Sequence, residues 1–127
     1  MGFWIFMLAV GLLIPAIMIL FGKVFMRSVP KKINFLFGYR TELSMKNADT
    51  WEVAHKYIGK LWFHLGLILV PITAVSMLFV IGSSEGIVAT VGLIVNFVNL
   101  IALVIPIFFT EKKLNRVFDK NGNRKAE

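Results

Sequence analysis

The sequence contains no cysteine, which excludes structural disulfides, cysteine nucleophiles and cysteine-ligated zinc or iron–sulfur centres. It also has little charge, because 17% of its 127 residues are charged, against about 25% in a typical soluble domain. The charges are clustered, and three long stretches contain none. Together with a hydrophobic content of 57%, this excludes an ordinary soluble domain and a disordered chain. The composition predicts a small integral membrane protein.

Three apolar runs cover residues 3–22, 61–81 and 87–109. A helix of about 20 residues crosses the roughly 30 Å of hydrocarbon in a bilayer, and each run reaches that length. Spanning β-strands would alternate in polarity, and these runs do not. We therefore predict an all-α membrane protein in which residues 1–127 form a single domain with three transmembrane helices. A cleavable signal peptide is the alternative for the first run, but no positive residue precedes it and no Ala-x-Ala site follows.

The orientation follows from the basic residues. All 14 lysines and arginines lie in residues 23–60 or after Phe109, and the turn at 82–86 has none. The positive-inside rule therefore predicts a cytoplasmic cap (23–60), a basic cytoplasmic tail (110–127) and an external N-terminus. The net charge of +7 is explained by this topology and by attraction to anionic lipid headgroups. No nucleic-acid-binding module is present, so no nucleic-acid partner is expected.

The third run contains two amides that lie on one helical face, Asn96 and Asn99. They indicate interhelical hydrogen bonds, with a solute site as the alternative. No run has an acid or a base deep in the membrane, which disfavours a lone secondary transporter. A pore or carrier formed by a homo-oligomer around these amides remains an alternative. Three glycines could allow close helix approach, although no Gly-x-x-x-Gly pair falls within a span: Gly11, Gly66 and Gly92.

Catalytic signals are sparse. Glu52 and His55 form one Glu-x-x-His, a spacing found in pairs in di-iron bundles, and they are weak catalytic candidates beside the alternative of a solvated helix face. No phosphate loop, dinucleotide fingerprint or nucleophile elbow occurs, and we predict no metal and no cofactor. Enzymatic activity is not expected, but a small peptidase or lipid-modifying enzyme remains an alternative. Its residues would be Arg40, Thr41, Ser44, Asp49, Glu52 and His55.

The cap is predicted to be structured and to contain an amphipathic helix. Ser44 is a suitable N-cap, with Asn47 as the alternative, and Glu52 and Lys56 form an i,i+4 pair. This helix would lie on the membrane or pack under the bundle before entering the second span. Its apolar stripe is formed by Trp51, Ala54, Ile58 and Leu61.

The same segment resembles a known family. The pattern Asn34-x-x-x-Gly38-Tyr39-Arg40-Thr41, followed by Ser44, Asn47, Trp51 and Ala54, is similar to the signature of the SdpI/YfhL immunity-protein family. The resemblance implies a bacterial plasma-membrane protein with a three-span domain. The best-known members protect the producing cell from a secreted toxic peptide, and one relays the presence of toxin to a cytoplasmic repressor. A toxin peptide and a cytoplasmic regulator are therefore the implied partners.

The implied function is resistance to a membrane-active peptide, by binding the peptide or by shielding its target. Within the motif, Gly38 suits a turn that needs positive φ, and Tyr39 suits the headgroup level. Arg40 could pin the turn to a phosphate, a carboxylate or a helix C-terminus. Whether the motif residues are functional or only hold the loop against the bundle stays open.

Overall fold

The computed structural model describes residues 2–27 and 41–125, and these form three long helices. They are α1 (Gly2–Arg27), α2 (Ala48–Leu78) and α3 (Glu85–Val117). Each is long and apolar enough to cross a membrane, which confirms the predicted all-helical, three-span class. Four residues of the predicted motif lie outside the described residues: Asn34, Gly38, Tyr39 and Arg40.

The helices pack antiparallel in chain order, which gives the bundle two different ends. The last turn of α1, the first turn of α2 and the last turn of α3 lie together, and we call this the basic end. The short connection between α2 and α3 forms the turn end, where Gly82 takes a φ of +81°. Two tryptophans tie the helices together, because Trp4 Nε1 donates to the Met77 carbonyl at 2.8 Å and Trp62 Nε1 donates to the Leu103 carbonyl at 3.1 Å.

The outer surface of the bundle is apolar. Phe79, Leu93 and Phe108 are 84%, 66% and 71% exposed, respectively. A soluble monomer rarely presents so much contiguous apolar surface to water. The exposed side chains are instead what hydrocarbon contact requires of a membrane-spanning helix.

The α1–α2 interface is formed by backbone contact at glycines. A Cβ added at Gly22 would lie 2.6 Å from the Phe63 nitrogen, and one at Gly66 would lie 2.9 Å from the Pro15 carbonyl oxygen. Gly59 meets the Gly22 carbonyl in the same way, at 2.9 Å. Gly59 and Gly66 are seven residues apart, so they lie on one helix face. Helix α2 therefore approaches α1 closely through two glycines that are seven residues apart, rather than through the four-residue spacing of a Gly-x-x-x-Gly pair.

Two apolar clusters fill the ends of the bundle. At the turn end, Met7, Met77, Val80 and Val88 are buried together. At the basic end the buried cluster comprises Phe25, Ala54, Ile58, Leu114 and Phe118. The second cluster packs all three helices against one another in the part of the bundle that extends past the length needed to cross a bilayer.

The structure corrects the predicted start of the second helix. Asn47, not Ser44, is the N-cap of α2, and the helix then runs without a break through Leu78. The segment predicted to be an amphipathic helix leading into the second span forms the first turns of α2. Of its predicted stripe residues, Trp51, Ala54 and Ile58 are buried, and Leu61 is partly buried.

Candidate functional site

Thr41 and Ser44, the first described residues of the motif, hold each other in a tight turn. The Ser44 hydroxyl accepts from the Thr41 N–H at 2.8 Å and donates to the Thr41 carbonyl at 2.9 Å. The Thr41 hydroxyl in turn donates to Glu111 Oε2 at 2.9 Å. This last bond joins the motif to the end of α3, so Thr41 fixes the position of a carboxylate 70 residues later in the chain.

Asn47 and Thr50 form a capping box at the start of α2. Asn47 Oδ1 accepts from the Thr50 N–H at 2.9 Å, and Thr50 Oγ1 accepts from the Asn47 N–H at 3.1 Å. This pair satisfies N–H groups that have no partner inside the helix. The Asn47 amide also reaches out of the helix, because its Nδ2 donates to the Gly122 carbonyl at 2.7 Å.

Residues 118–125 form a short terminal hairpin, where the sequence predicted only a basic tail. Asp119 Oδ1 accepts from the N–H groups of Asn121 and Asn123, at 2.9 and 3.0 Å. The Gly122 N–H closes the turn on the Asp119 carbonyl at 3.1 Å, and Gly122 takes a φ of +84°. Type I turns favour Asp at the first position and Gly at the fourth, and Asp119 and Gly122 occupy these positions. The sequence therefore contained a signal for this turn that the composition-based interpretation missed.

The hairpin is docked on the start of α2. Arg124 donates to both carboxylate oxygens of Asp49, each at 2.8 Å. This bidentate contact raises the pKa of Arg124 through the hydrogen bond and the charge of Asp49. Phe118 is buried in the basic-end cluster. The terminal hairpin therefore covers the bundle at the basic end.

Trp51 and His55 are buried beside this cap. His55 Nδ1 lies 2.8 Å from the Trp51 carbonyl oxygen, and since a carbonyl only accepts, Nδ1 carries the proton. The imidazole and the Phe25 ring are nearly perpendicular, with 4.9 Å between ring centroids. His55 lies outside the hydrocarbon part of α2, because charged Lys56 and Lys60 follow it. Burial lowers its pKa, which favours the neutral ring.

Glu52 and His55 lie one turn apart on α2 but differ in exposure. Glu52 is exposed and forms an ion pair with Lys56 at 2.8 Å, as the i,i+4 spacing predicts, while His55 is fully buried. The carboxylate of Glu52 is thus engaged by Lys56, and the catalytic role of the two weak candidates stays a prediction. Among residues 2–27 and 41–125, no group of three acidic or histidine side chains could hold a metal ion.

A polar pocket of about 330 Å³ opens at the basic end. Its walls come from the turn after Thr41, from the last turns of α3 and from the terminal hairpin. Sequence reasoning missed it, because three segments far apart in the chain form it. The pocket is lined by Glu42, Leu43, Lys46, Glu111, Asn115 and Lys120.

The two intramembrane amides have different surroundings. Asn99 is buried, and its Nδ2 donates to the Gly11 carbonyl at 3.0 Å and to Thr73 Oγ1 at 3.2 Å, so one side chain joins all three helices. Asn96 Nδ2 donates to the carbonyl of Gly92 on its own helix at 3.0 Å. Both N–H groups of Asn99 are thus used within the bundle.

A sequence model of the SdpI/YfhL protein family matches residues 31–110. The chain belongs to this family. The SdpI-family match includes the motif positions Thr41, Ser44, Asn47 and Trp51, whose contacts build the basic end. YfhL of Bacillus subtilis (strain 168), an uncharacterised protein, is 30% identical over 116 residues, which cover 91% of this chain and 96% of that protein. No solved structure matches the chain.

Proposed function

We propose that this SdpI-family protein confers resistance to a membrane-active peptide in the bacterial plasma membrane. It acts either by binding the peptide or by shielding the membrane component that the peptide attacks. Its N-terminus and turn end face outward, and its basic end lies in the cytoplasm, where it is available to a cytoplasmic regulator. The uneven distribution of lysine and arginine supports this orientation.

The observation that carries the proposal is the close contact between the helices inside the bundle. Gly22 and Gly59 bring the backbones of α1 and α2 into contact, and Asn99 donates one hydrogen bond to each of these two helices. A conducting protomer needs a polar path, and the buried amide of Asn99 does not provide donors for one, because both of its N–H groups are bonded inside the bundle. Action through the outer surface, where apolar side chains meet lipid, fits this interior better than transport does.

The test is a survival assay in a toxin-sensitive bacterium that expresses the protein. Cells are challenged with a panel of secreted membrane-active peptides, and survival and membrane depolarisation are measured. We expect protection against at least one peptide by the wild type and by Gly86→Ala, an exposed position where a Cβ meets nothing within 4 Å. Gly22→Leu, which forces α1 from α2, should abolish protection. Equal survival with and without the protein, for every peptide and with the protein in the membrane fraction, would refute the proposal.

A further inference from the structure

The polar pocket at the basic end is lined by charges of both signs. Glu42 and Glu111 supply carboxylates, and Lys46 and Lys120 supply ammonium groups. In the described part of the chain, no ion pair joins Glu42, Lys46 or Lys120 to another side chain. Glu42 thus shares the cavity with two ammonium groups without pairing to either, an arrangement that suits an occupant charged at both ends.

The pocket lies at the depth of the lipid headgroups. Glu111 is the first charged residue after the apolar run of α3, and Asn115 follows it one turn later, about 6 Å further from the hydrocarbon. The headgroup layer is about 5–8 Å thick on each side of the bilayer. Phe108, Glu111 and Asn115 recur at i, i+3 and i+7, so they share one face of α3. Phe108 is 71% exposed on the hydrocarbon side of the pocket, where acyl chains would lie.

Tertiary hydrogen bonds hold the pocket walls in place. Thr41 orients the Glu111 carboxylate, and Asn47 links the segment that carries Lys46 to the hairpin that carries Lys120. The motif residues Thr41 and Asn47 thus position the pocket without lining it. This gives the motif a role that a bare connection between two spans would not need.

We propose that this pocket binds a phospholipid headgroup that carries both a phosphate and a primary ammonium, as phosphoethanolamine does. Lys46 and Lys120 hold the phosphate, and Glu42 accepts a hydrogen bond from the ammonium. Charge-assisted hydrogen bonds of this kind are the strong ones at such a site. A trimethylated headgroup has the same charges but no N–H to donate, so it loses the hydrogen bond to the Glu42 carboxylate. The binding does not depend on the resistance function.

The experiment uses the full-length protein in detergent and measures lipid binding by native mass spectrometry. Phosphatidylethanolamine and phosphatidylcholine of the same acyl chains are titrated separately. We expect the wild type to bind phosphatidylethanolamine about tenfold more tightly or better, as one charge-assisted hydrogen bond would give. Glu42→Gln should abolish this preference, because it weakens phosphatidylethanolamine binding more than phosphatidylcholine binding. Lys46→Ala should weaken both lipids, and Lys60→Ala, exposed and outside the pocket, should weaken neither.

Free O-phosphoethanolamine is added as a competitor in a second arm. Competition at millimolar concentration shows that the headgroup chemistry alone is recognised, and binding of the lipid without competition shows that the acyl chains contribute. The melting temperature of each variant is compared with that of the wild type, so that loss of fold is not read as loss of binding. Equal wild-type affinity for the two lipids would overturn the proposal, as would a preference that survives Glu42→Gln.

Discussion

The side-chain amide of Asn47 donates a hydrogen bond of 2.7 Å to the main-chain carbonyl of Gly122, which lies 75 residues later in the chain. The other atom of the same amide, Oδ1, caps α2 by accepting from the Thr50 N–H. One residue therefore starts the second helix and fastens the terminal hairpin to it. The two roles use different atoms, so two substitutions can separate them.

Asn47→Ala should remove both roles, and Asn47→Asp should remove only the second. A lost N-cap costs about 1 kcal/mol, whereas Asp caps as well as Asn does. We expect Asn47→Ala to lower the melting temperature. Asn47→Asp should nearly preserve it but speed tryptic cleavage after Lys120, because the hairpin loses its amide donor and faces a carboxylate. Equal cleavage rates for Asn47→Asp and the wild type would contradict the contact.

Gly22→Ala should destabilise the bundle strongly. The added Cβ would lie within 3 Å of three main-chain atoms of α2, and backbone cannot move aside as a side chain can. Overpacking typically costs about 1–3 kcal/mol, and we expect the upper part of that range in detergent unfolding. Gly92→Ala is a matched control, because its Cβ meets only the flexible side chain of Met7. A loss at Gly92 as large as that at Gly22 would refute backbone contact between α1 and α2.

Asn99→Ala should cost more stability than Asn96→Ala. Interhelical hydrogen bonds in membranes average about 0.6 kcal/mol each, so the loss of two predicts a cost of about 1–2 kcal/mol at Asn99. Asn96 bonds to its own helix, and its replacement should cost less than about 0.5 kcal/mol, because no contact between helices is lost. Unfolding of the two variants in the same detergent is compared. An equal effect would show that Asn99 is not the junction of the three helices.

Acid should destabilise the protein through His55. Burial lowers the folded-state pKa of His55 below its usual 6.5, so the unfolded chain binds the proton more readily. The stability from the neutral ring is complete above pH 6.5 and falls as the pH drops below it, by at most about 1.4 kcal/mol per unit. The melting temperature of the wild type should therefore fall between pH 7 and pH 5.5. His55→Gln should show a flatter dependence, and an unchanged slope would show that His55 does not carry it.

Features set by local composition could be predicted from the sequence. The three helices follow from run length and hydropathy, because insertion depends on summed transfer free energy and not on packing. The ion pair between Glu52 and Lys56 follows from helix geometry alone. The family followed from residue spacing between Asn34 and Ala54, a pattern that needs no tertiary structure.

Features set by contacts between distant segments could not be predicted. Ser44 and Asn47 are both suitable N-caps. The helix begins after Asn47 because the Ser44 hydroxyl is already hydrogen-bonded to Thr41. The pairing of Gly22 with Gly59 depends on the register of two helices, which one sequence does not reveal. The polar pocket needs Lys120 to return to the start of α2, and only the docked hairpin brings it there.

The orientation of the basic end underlies both the resistance and the lipid proposals, and one labelling experiment tests it directly. The chain has no cysteine, so Ser83→Cys and Asn121→Cys each introduce a single reactive thiol. A membrane-impermeant maleimide should label Ser83→Cys in intact bacterial cells and Asn121→Cys only after permeabilisation. Labelling of Asn121→Cys in intact cells, with Ser83→Cys protected, would contradict the orientation and remove the basic end from the cytoplasm.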